Sequence, residues 1–425
     1  MNVLIIGSGG RESAFAHAIK KSNFLTTLFV APGNGGTAKI AENVNLQEND
    51  FEGISNFCNQ NKIELILIGP EVPLVNGIRD FLEKDIELKN LLIIGPGKTG
   101  AQLEGSKAFS KEFMLKYKIP TAAHKTFSEL NINESDVFLD SLSPPYVLKA
   151  DGPAAGKGVL IIDNLIEAKK ELREMILDKK FGESSSQVVI EEFLSGIEVS
   201  MFVLTDGESY VILPEAKDYK RIGDNDTGLN TGGMGAVSPV YFVDEKFTDK
   251  VIQQIINPTI AGLKNENISY RGFIFFGLIN CNGQPKVIEY NCRMGDPETE
   301  AVLPRIKSDF LDLLINCGKN NLKDYSIQID ERTALTVVLA SGGYPAAFEK
   351  GYPISGIETV QHSLVFEAGT KTDNNVTTTN GGRVMAITSL ASDTNQAREK
   401  IYHDIEKINY TKKYFRTDIG KDLIN

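Results

Sequence analysis

The sequence predicts a multidomain protein that combines an α/β N-terminal part with an α+β centre, and three observations carry that expectation. A chain of 425 residues, 41% hydrophobic and 24% charged, has globular composition but exceeds the size at which one core keeps growing, so two or more domains are expected. The N-terminal quarter repeats short aliphatic runs that end in glycine or proline, with polar or amphipathic stretches between them. From Pro145 onward the strand-like runs YVLKA, VVIEEFL, VSMFVLTD, GFIFFGLIN and PKVIEYN are separated by glycine-rich loops instead.

The first group of runs is Val3 to Gly7, Leu28 to Gly33, Leu65 to Pro70 and Leu91 to Pro96. Continuous apolar strands alternating with helices imply a parallel sheet covered on both faces, with ligands beyond the carboxyl ends of its strands. A helix is expected over Lys107 to Lys118, where Phe109, Phe113 and Tyr117 share one face, and Ile119-Pro120 ends it. The stretch up to about Gly318 reads as an α+β nucleotide-binding unit. TALTVVLA, GRVMAIT and a helical stretch near Ala397 to Ile408 read as a small C-terminal α/β domain, with DNNVTTTN as a polar turn. The expected boundaries are 1–102, 103–318 and 319–425.

Composition excludes several function classes. No apolar run of about 18 residues occurs and the N-terminus enters a strand directly, so a cytoplasmic protein without a membrane partner is expected. Cys58, Cys281, Cys292 and Cys317 form no CxxC pair and read as reduced thiols. A net charge of −11 argues against nucleic acid, whose backbone is bound by clustered Lys and Arg.

Phosphate chemistry is nevertheless written into two near-miss motifs. GSGGRE resembles a dinucleotide fingerprint, but Glu12 replaces its third glycine, and the second strand ends in Ala31-Pro32-Gly33 where an acidic residue should hold a ribose. The glycine-rich loops at Gly7 to Gly10, Gly33 to Thr37 and Gly69 to Glu71 share one sheet edge and favour a small phosphorylated ligand. Gly152 to Gly158 resembles a Walker loop with one residue too few and no Ser or Thr after Lys157, and it reads as a glycine-rich flap closing over a triphosphate.

Four segments in order, EGSK (Glu104 to Lys107), YVLKADGPAAGKGV (Tyr146 to Val159), VVIEEFLSGIEVS (Val188 to Ser200) and VIEYNCRMGDPETE (Val287 to Glu300), resemble the ATP-grasp superfamily. GNGGT, IGPE, KDYKRIGDNDTGLNTGGMGAVSP, SGGYP and TNGGRV extend the resemblance over the whole chain to the phosphoribosylamine–glycine ligase family. The three units then correspond to a pre-ATP-grasp domain, an ATP-grasp domain and a C-terminal domain. The resemblance implies that ATP, with Mg²⁺ or Mn²⁺, activates glycine as an acyl phosphate that 5-phosphoribosylamine attacks. It also implies a monomer in transient contact with amidophosphoribosyltransferase.

Carried over residue by residue, Lys107 and Lys149 match the triphosphate-contacting lysines, and Gly156, Lys157 and Gly158 match the glycine loop. The backbone of Glu191, Glu192, Phe193 and Leu194 matches the adenine linker, and Glu198 the ribose carboxylate. For the side chains of Glu191 and Glu192 a solvated strand end is expected. Glu289 and Asn291, two apart on a strand, present a carboxylate and an amide oxygen on one face and match the metal ligands. Arg293 follows on that face, available to phosphates or the reacting carboxylate, while Asp218, Lys220, Arg221 and the loop Asn230 to Gly235 match the acyl-phosphate region. Many ATP-grasp enzymes take another metal carboxylate from the preceding strand, and GFIFFGLIN offers none. The amine substrate is expected at Gly9, Gly10, Asn34, Gly35, Gly36 and Glu71, with Asp296, Pro297 and Glu298 at the domain junction. Formate- or bicarbonate-using ATP-grasp relatives, an NAD-dependent oxidoreductase and a non-catalytic nucleotide-binding module are the weaker alternatives.

Overall fold

The computed structural model describes residues 1–152 and 158–424. In the N-terminal unit, β1 (Asn2–Gly7), β2 (Thr27–Pro32), β3 (Glu42–Asn43), β4 (Leu65–Ile68) and β5 (Leu92–Ile94) form a sheet ordered β3-β2-β1-β4-β5. All pairings are parallel. Val3 and Ile5 enter one core and Leu4 and Ile6 another, as a sheet covered on both faces requires. The helices α1 (Gly10–Ile19), α2 (Phe51–Gln60), α3 (Glu71–Asn76) and α4 (Ile78–Leu82) punctuate the strands. The chain runs outward from β1 to β3 and returns on the other side of β1 as β4. That change of direction opens a crevice at the carboxyl ends of β1 and β4, where Gly9 and Glu71 stand.

The helices α5 (Lys98–Gly105) and α6 (Lys107–Lys116) lead into the centre. Helix α6 stops short of the expected Lys118, which adopts φ 56°, and the Ile119 N–H closes the end on the Met114 carbonyl at 2.8 Å. A four-stranded antiparallel sheet follows, ordered β6-β9-β7-β8 from β6 (His124–Ser128), β7 (Tyr146–Ala150), β8 (Val159–Ile162) and β9 (Gln187–Glu192). With α7 (Ser135–Asp140) and α8 (Leu165–Ile176) it encloses its own core around Phe127, Leu148 and Leu172.

A second antiparallel sheet carries the rest. It contains β10 (Ile197–Thr205) and β11 (Tyr210–Asp218), followed by a two-stranded excursion, β12 (Arg221–Gly223) with β13 (Thr227–Asn230), and then by β14 (Gly235–Ser238). After α9 (Glu245–Val251) and α10 (Asn257–Asn265) come β15 (Gly272–Cys281), β16 (Gln284–Asn291), α11 (Glu298–Val302) and α12 (Phe310–Gly318). The last hundred residues add β17 (Thr333–Ser341), β18 (Ser363–Glu367), the hairpin β19 (Thr370–Asp373) with β20 (Val376–Thr379), β21 (Arg383–Ala391), α13 (Thr394–Lys407) and β22 (Lys413–Tyr414). The sheet order is β16-β15-β10-β11-β14-β17-β21-β18, so hydrogen bonding continues from the centre into the C-terminal unit across β14 and β17. The expected polar turn DNNVTTTN is the tip and return strand of β19-β20, with Asn374 and Asn375 at φ 48° and 62°, as a tight two-residue hairpin demands.

The N-terminal unit is fastened to the centre by three nearly parallel rings. Phe15 of α1 stacks on Phe273 of β15 and on Phe310 of α12, each at 5.9 Å between centroids. Beside them, Gly272 at φ 145° brings its backbone against Gly95, where a Cβ would stand 3.0 Å from the Gly95 nitrogen. Phe15 is 1% exposed, so Phe15→Ala leaves a cavity at this seam. The expected loss is about 3–5 kcal/mol of stability, read as a lowered denaturant midpoint.

Candidate active site

The site is assembled by loops that each end a strand or begin a helix. Ser106 caps α6 by accepting the Phe109 N–H at 3.1 Å, and its hydroxyl donates to Asp151, which also accepts the Ala108 N–H at 2.7 Å. Asp151 directly follows β7, so this cap holds Lys107 beside the end of the strand that carries Lys149. Burial lowers the Lys107 pKa, partly offset by Glu289. The Gly158 carbonyl accepts the Ala150 N–H at 2.7 Å, whereas Gly156 and Lys157 lie outside the described residues.

Glu191 corrects the expectation of a solvated strand end. β9 is an inner strand, so its last residues are covered, and Glu191 is 3% exposed. Its two carboxylate oxygens meet Lys149 and Lys111, each at 3.0 Å. Two buried ammonium groups would be prohibitively costly without that carboxylate. Lys111 escaped the sequence reading. It lies one helical turn after Lys107, and its position i+4 on the same helix face was the available signal. Burial pulls its pKa down to about 8, and it donates to Thr121 Oγ1 at 2.7 Å. Glu192 is half-buried, pairs with Lys286 at 3.2 Å, and its N–H donates to the Ala123 carbonyl. Phe193 and Leu194 continue past the strand end.

Glu289 and Asn291 share a face of β16, opposite Gly277 and Phe275 of β15. The strand that supplies no carboxylate thus presents a glycine and a phenyl ring there. Burial raises the Glu289 pKa, but Lys220, Lys149, Lys107 and Arg293 together hold it below the usual carboxylate value. Asn291 is buried and its Nδ2 has no hydrogen-bond partner among the described residues. One carboxylate and one amide with four cations acting on them fit the protein's share of a divalent-cation site, where such an ion would neutralise phosphate charge. No cluster of three or more His, Cys, Asp or Glu suited to a metal occurs among the described residues.

Around this face the other expected residues fall into ion-paired sets. Glu198, at the start of β10, bonds Lys220, whose ammonium also lies 4.0 Å from Asp218. Glu198, Ser200, Asp218, Lys220, Gly277 and Glu289 line one cavity. Arg293 is not free: Glu104 of α5 holds its Nη2 at 2.6 Å, and Glu71 at the start of α3 stands 3.5 Å from its Nε. That clamp brings the N-terminal unit to the metal-type face. Glu104 also accepts the Cys292 N–H at 2.8 Å.

At the N-terminal crevice the helix end is acidic. Glu12 reaches back to accept the Gly9 N–H at 2.7 Å and lies over Gly7 and Gly69, where a Cβ on Gly69 would stand 2.0 Å from its Oε1. The chain's own carboxylate therefore occupies the turn where a dinucleotide pyrophosphate would rest, which explains the failed fingerprint. Arg11, also missed, is buried, pairs with Glu12 at 2.6 Å and donates to the Met294 carbonyl. Asn34 spends its amide on the loops themselves, donating to the Ser8 and Glu367 carbonyls and accepting from Gly36 and Thr37. The Gly35 N–H goes to the Thr370 carbonyl. Asp296 joins all three units: its carboxylate pairs with Arg383 at 2.9 Å and faces the Arg11 N–H. Arg383 also binds the Gly232 carbonyl, pinning the Asn230 to Gly235 loop.

Family models for the N, ATP-grasp (A) and C domains of phosphoribosylglycinamide synthetase match residues 1–104, 105–299 and 334–422. Phosphoribosylamine–glycine ligase of Vibrio vulnificus (strain YJ016) is 44% identical over 99% of this chain and 98% of its own length. The enzyme of the same name from Haemophilus influenzae is 43% identical over the same shares. The crystal structure of phosphoribosylamine–glycine ligase from Thermotoga maritima superposes with a TM-score of 0.85 at 36% identity, covering 99% of this chain and 100% of that one. Biotin carboxylase from Campylobacter jejuni, at 14% identity and a TM-score of 0.70 over 97% and 92% of the two chains, shares the fold alone. With all three of its domain models matched in order and relatives above 40% identity from end to end, the chain belongs to the phosphoribosylglycinamide synthetase family.

Proposed function

We propose that the protein ligates glycine to 5-phosphoribosylamine, converting ATP to ADP and phosphate through a glycyl phosphate intermediate, and so makes glycinamide ribonucleotide for purine biosynthesis. The observation that carries this reading is the ring of Lys107, Lys149, Lys220 and Arg293 about Glu289, set against a crevice of glycine loops. The full-length relatives named phosphoribosylamine–glycine ligase favour it over formate- or bicarbonate-using chemistry.

In this reading Lys107 and Lys149, with Gly156, Lys157 and Gly158 of the glycine loop, neutralise the triphosphate. Phe193 and Leu194, beyond the last sheet-bonded residue of the linker, offer backbone to adenine, and Glu198 turns from Lys220 toward the ribose hydroxyls. Glu289 and Asn291 hold Mg²⁺ or Mn²⁺, which supplies charge neutralisation and orientation of the phosphates when bound. Arg293, fixed by Glu104 and Glu71, and Lys220, fixed by Asp218, steady the glycine carboxylate and then the acyl phosphate. Gly9, Gly10, Glu71 and Asp296 face the amine substrate, while Asn34, Gly35 and Gly36 shape that pocket through their bonds to Glu367 and Thr370. Catalysis is then mainly positioning in a closed, charged site.

A monomeric catalytic unit is part of this proposal. Work in the cytoplasm is part of this proposal, and no described helix is long and apolar enough to cross a membrane. An unstable amine gains from a short transfer path, which supports transient contact with amidophosphoribosyltransferase.

With Mg-ATP, glycine and freshly made phosphoribosylamine, ADP release is expected to stop when any one component is omitted. Turnover without glycine, or with formate in its place, would overturn the reading. For Glu289→Ala, kcat is expected to fall by about 10²-fold or more and the Mg²⁺ activation curve to move to higher concentration. An unchanged rate and Mg²⁺ response would remove Glu289 from the metal site.

A further inference from the structure

Forming an amide from an amine requires the nitrogen to lose a proton, and none of the four histidines, His17, His124, His362 and His403, belongs to the site described above. One buried carboxyl stands at the junction of the units. Glu298 opens α11 directly after Asp296-Pro297, where the amine crevice meets the phosphate face, and is 4% exposed. Its Oε1 accepts a bond from the Ser200 hydroxyl at 3.1 Å, and Ser200 lines the cavity shared by Asp218, Lys220 and Glu289. The charged groups facing it are Asp218 of β11, Lys220, Arg293 beyond β16, Arg383 of β21 and Glu300 on its own helix.

Resting on the ligase reading above, we propose that Glu298 is the catalytic residue that accepts the proton of the attacking amine. The nitrogen forms its bond to the glycyl carbonyl carbon, the bond from that carbon to the phosphate oxygen breaks, and its electron pair leaves with inorganic phosphate. The N–H proton passes to a carboxylate oxygen of Glu298 and then to solvent as product departs. Burial, then the neighbouring Asp218 carboxylate, push the Glu298 carboxyl up to about 7 against Lys220 and Arg293. A base with that affinity is half ionised at neutral pH and well matched to the task. Only the ionised form accepts, so kcat rises with pH through about 7 and then levels.

The test compares wild type, E298Q and S200A in full-length protein. In E298Q, kcat for glycinamide ribonucleotide is expected to fall about 10²- to 10⁴-fold and the rise near neutral pH to vanish. Glycine hydroxamate formation from ATP, glycine and excess hydroxylamine is expected to fall far less than ligation does, because glycine activation precedes the step that uses Glu298. S200A removes a donor to the ionised carboxylate, so its pH profile moves upward while the plateau persists. E298Q at the wild-type rate, E298Q losing hydroxamate and ligation alike, or an unmoved S200A profile each overturns the assignment. A wild-type protein that makes neither product overturns the ligase reading itself.

Discussion

Cations held out of water need carboxylates close by, and this site meets that requirement by borrowing each carboxylate from a different stretch of chain. Lys149 and Lys111 lean on Glu191 of β9 and Arg293 on Glu104 and Glu71, while the more exposed Lys220 pairs with Glu198 and Asp218. Two of these pairings also tie elements together: Glu71 joins the N-terminal sheet to Arg293, and Glu191 joins β9 to β7 and α6. Moving the N-terminal sheet away would strip Glu71 from Arg293, and shifting the small central sheet would strip Glu191 from its lysines. Charge balance in the site and rigidity of the domain arrangement are therefore one property.

Lys220, Lys149, Lys107 and Arg293 all act on Glu289, and the phosphates of a nucleotide would draw on the same cations. Lys107 shows the principle most simply. Its neighbours lower its pKa through burial and through Lys149, and only Glu289, Asp151 and Glu191 oppose them. A cation in that condition gains most from a phosphate oxygen nearby. At the amine crevice Glu12, Asp296 and Glu300 crowd the start of α1, with Arg11 and Arg383 threaded among them.

Much of this was legible because it is local. The apolar runs of β1, β2, β4 and β5 announce a parallel sheet, and the alternation Glu289, Asn291 announces a shared face. What escaped depends on partners remote in sequence. Glu191 and Glu192 look alike side by side, yet β9 lies inside its sheet and turns one into the lysine bridge and the other toward solvent and Lys286. Asn34 sits in a loop that looks built for a ligand, but Glu367, more than three hundred residues later, claims its amide. Lys111 was hidden because the aromatic face of α6 drew the reading toward packing. The chemistry-bearing motifs were visible, and the long-range contacts that decide which of their members are free were not.

The pairing of β14 with β17 has a practical meaning for how this chain can be divided. The pattern of strand-like runs suggests a cut near Gly318, but a polypeptide stopped there would leave β14, only four residues long, as a bare rim on the large sheet. Exposed rims of that kind recruit strands from other molecules and lead to aggregation. The same cut would remove Arg383 from Asp296 and Thr370 from Gly35. The C-terminal hundred residues therefore behave as the closing stave of the catalytic unit, and a shortened protein would lose solubility and substrate pocket together.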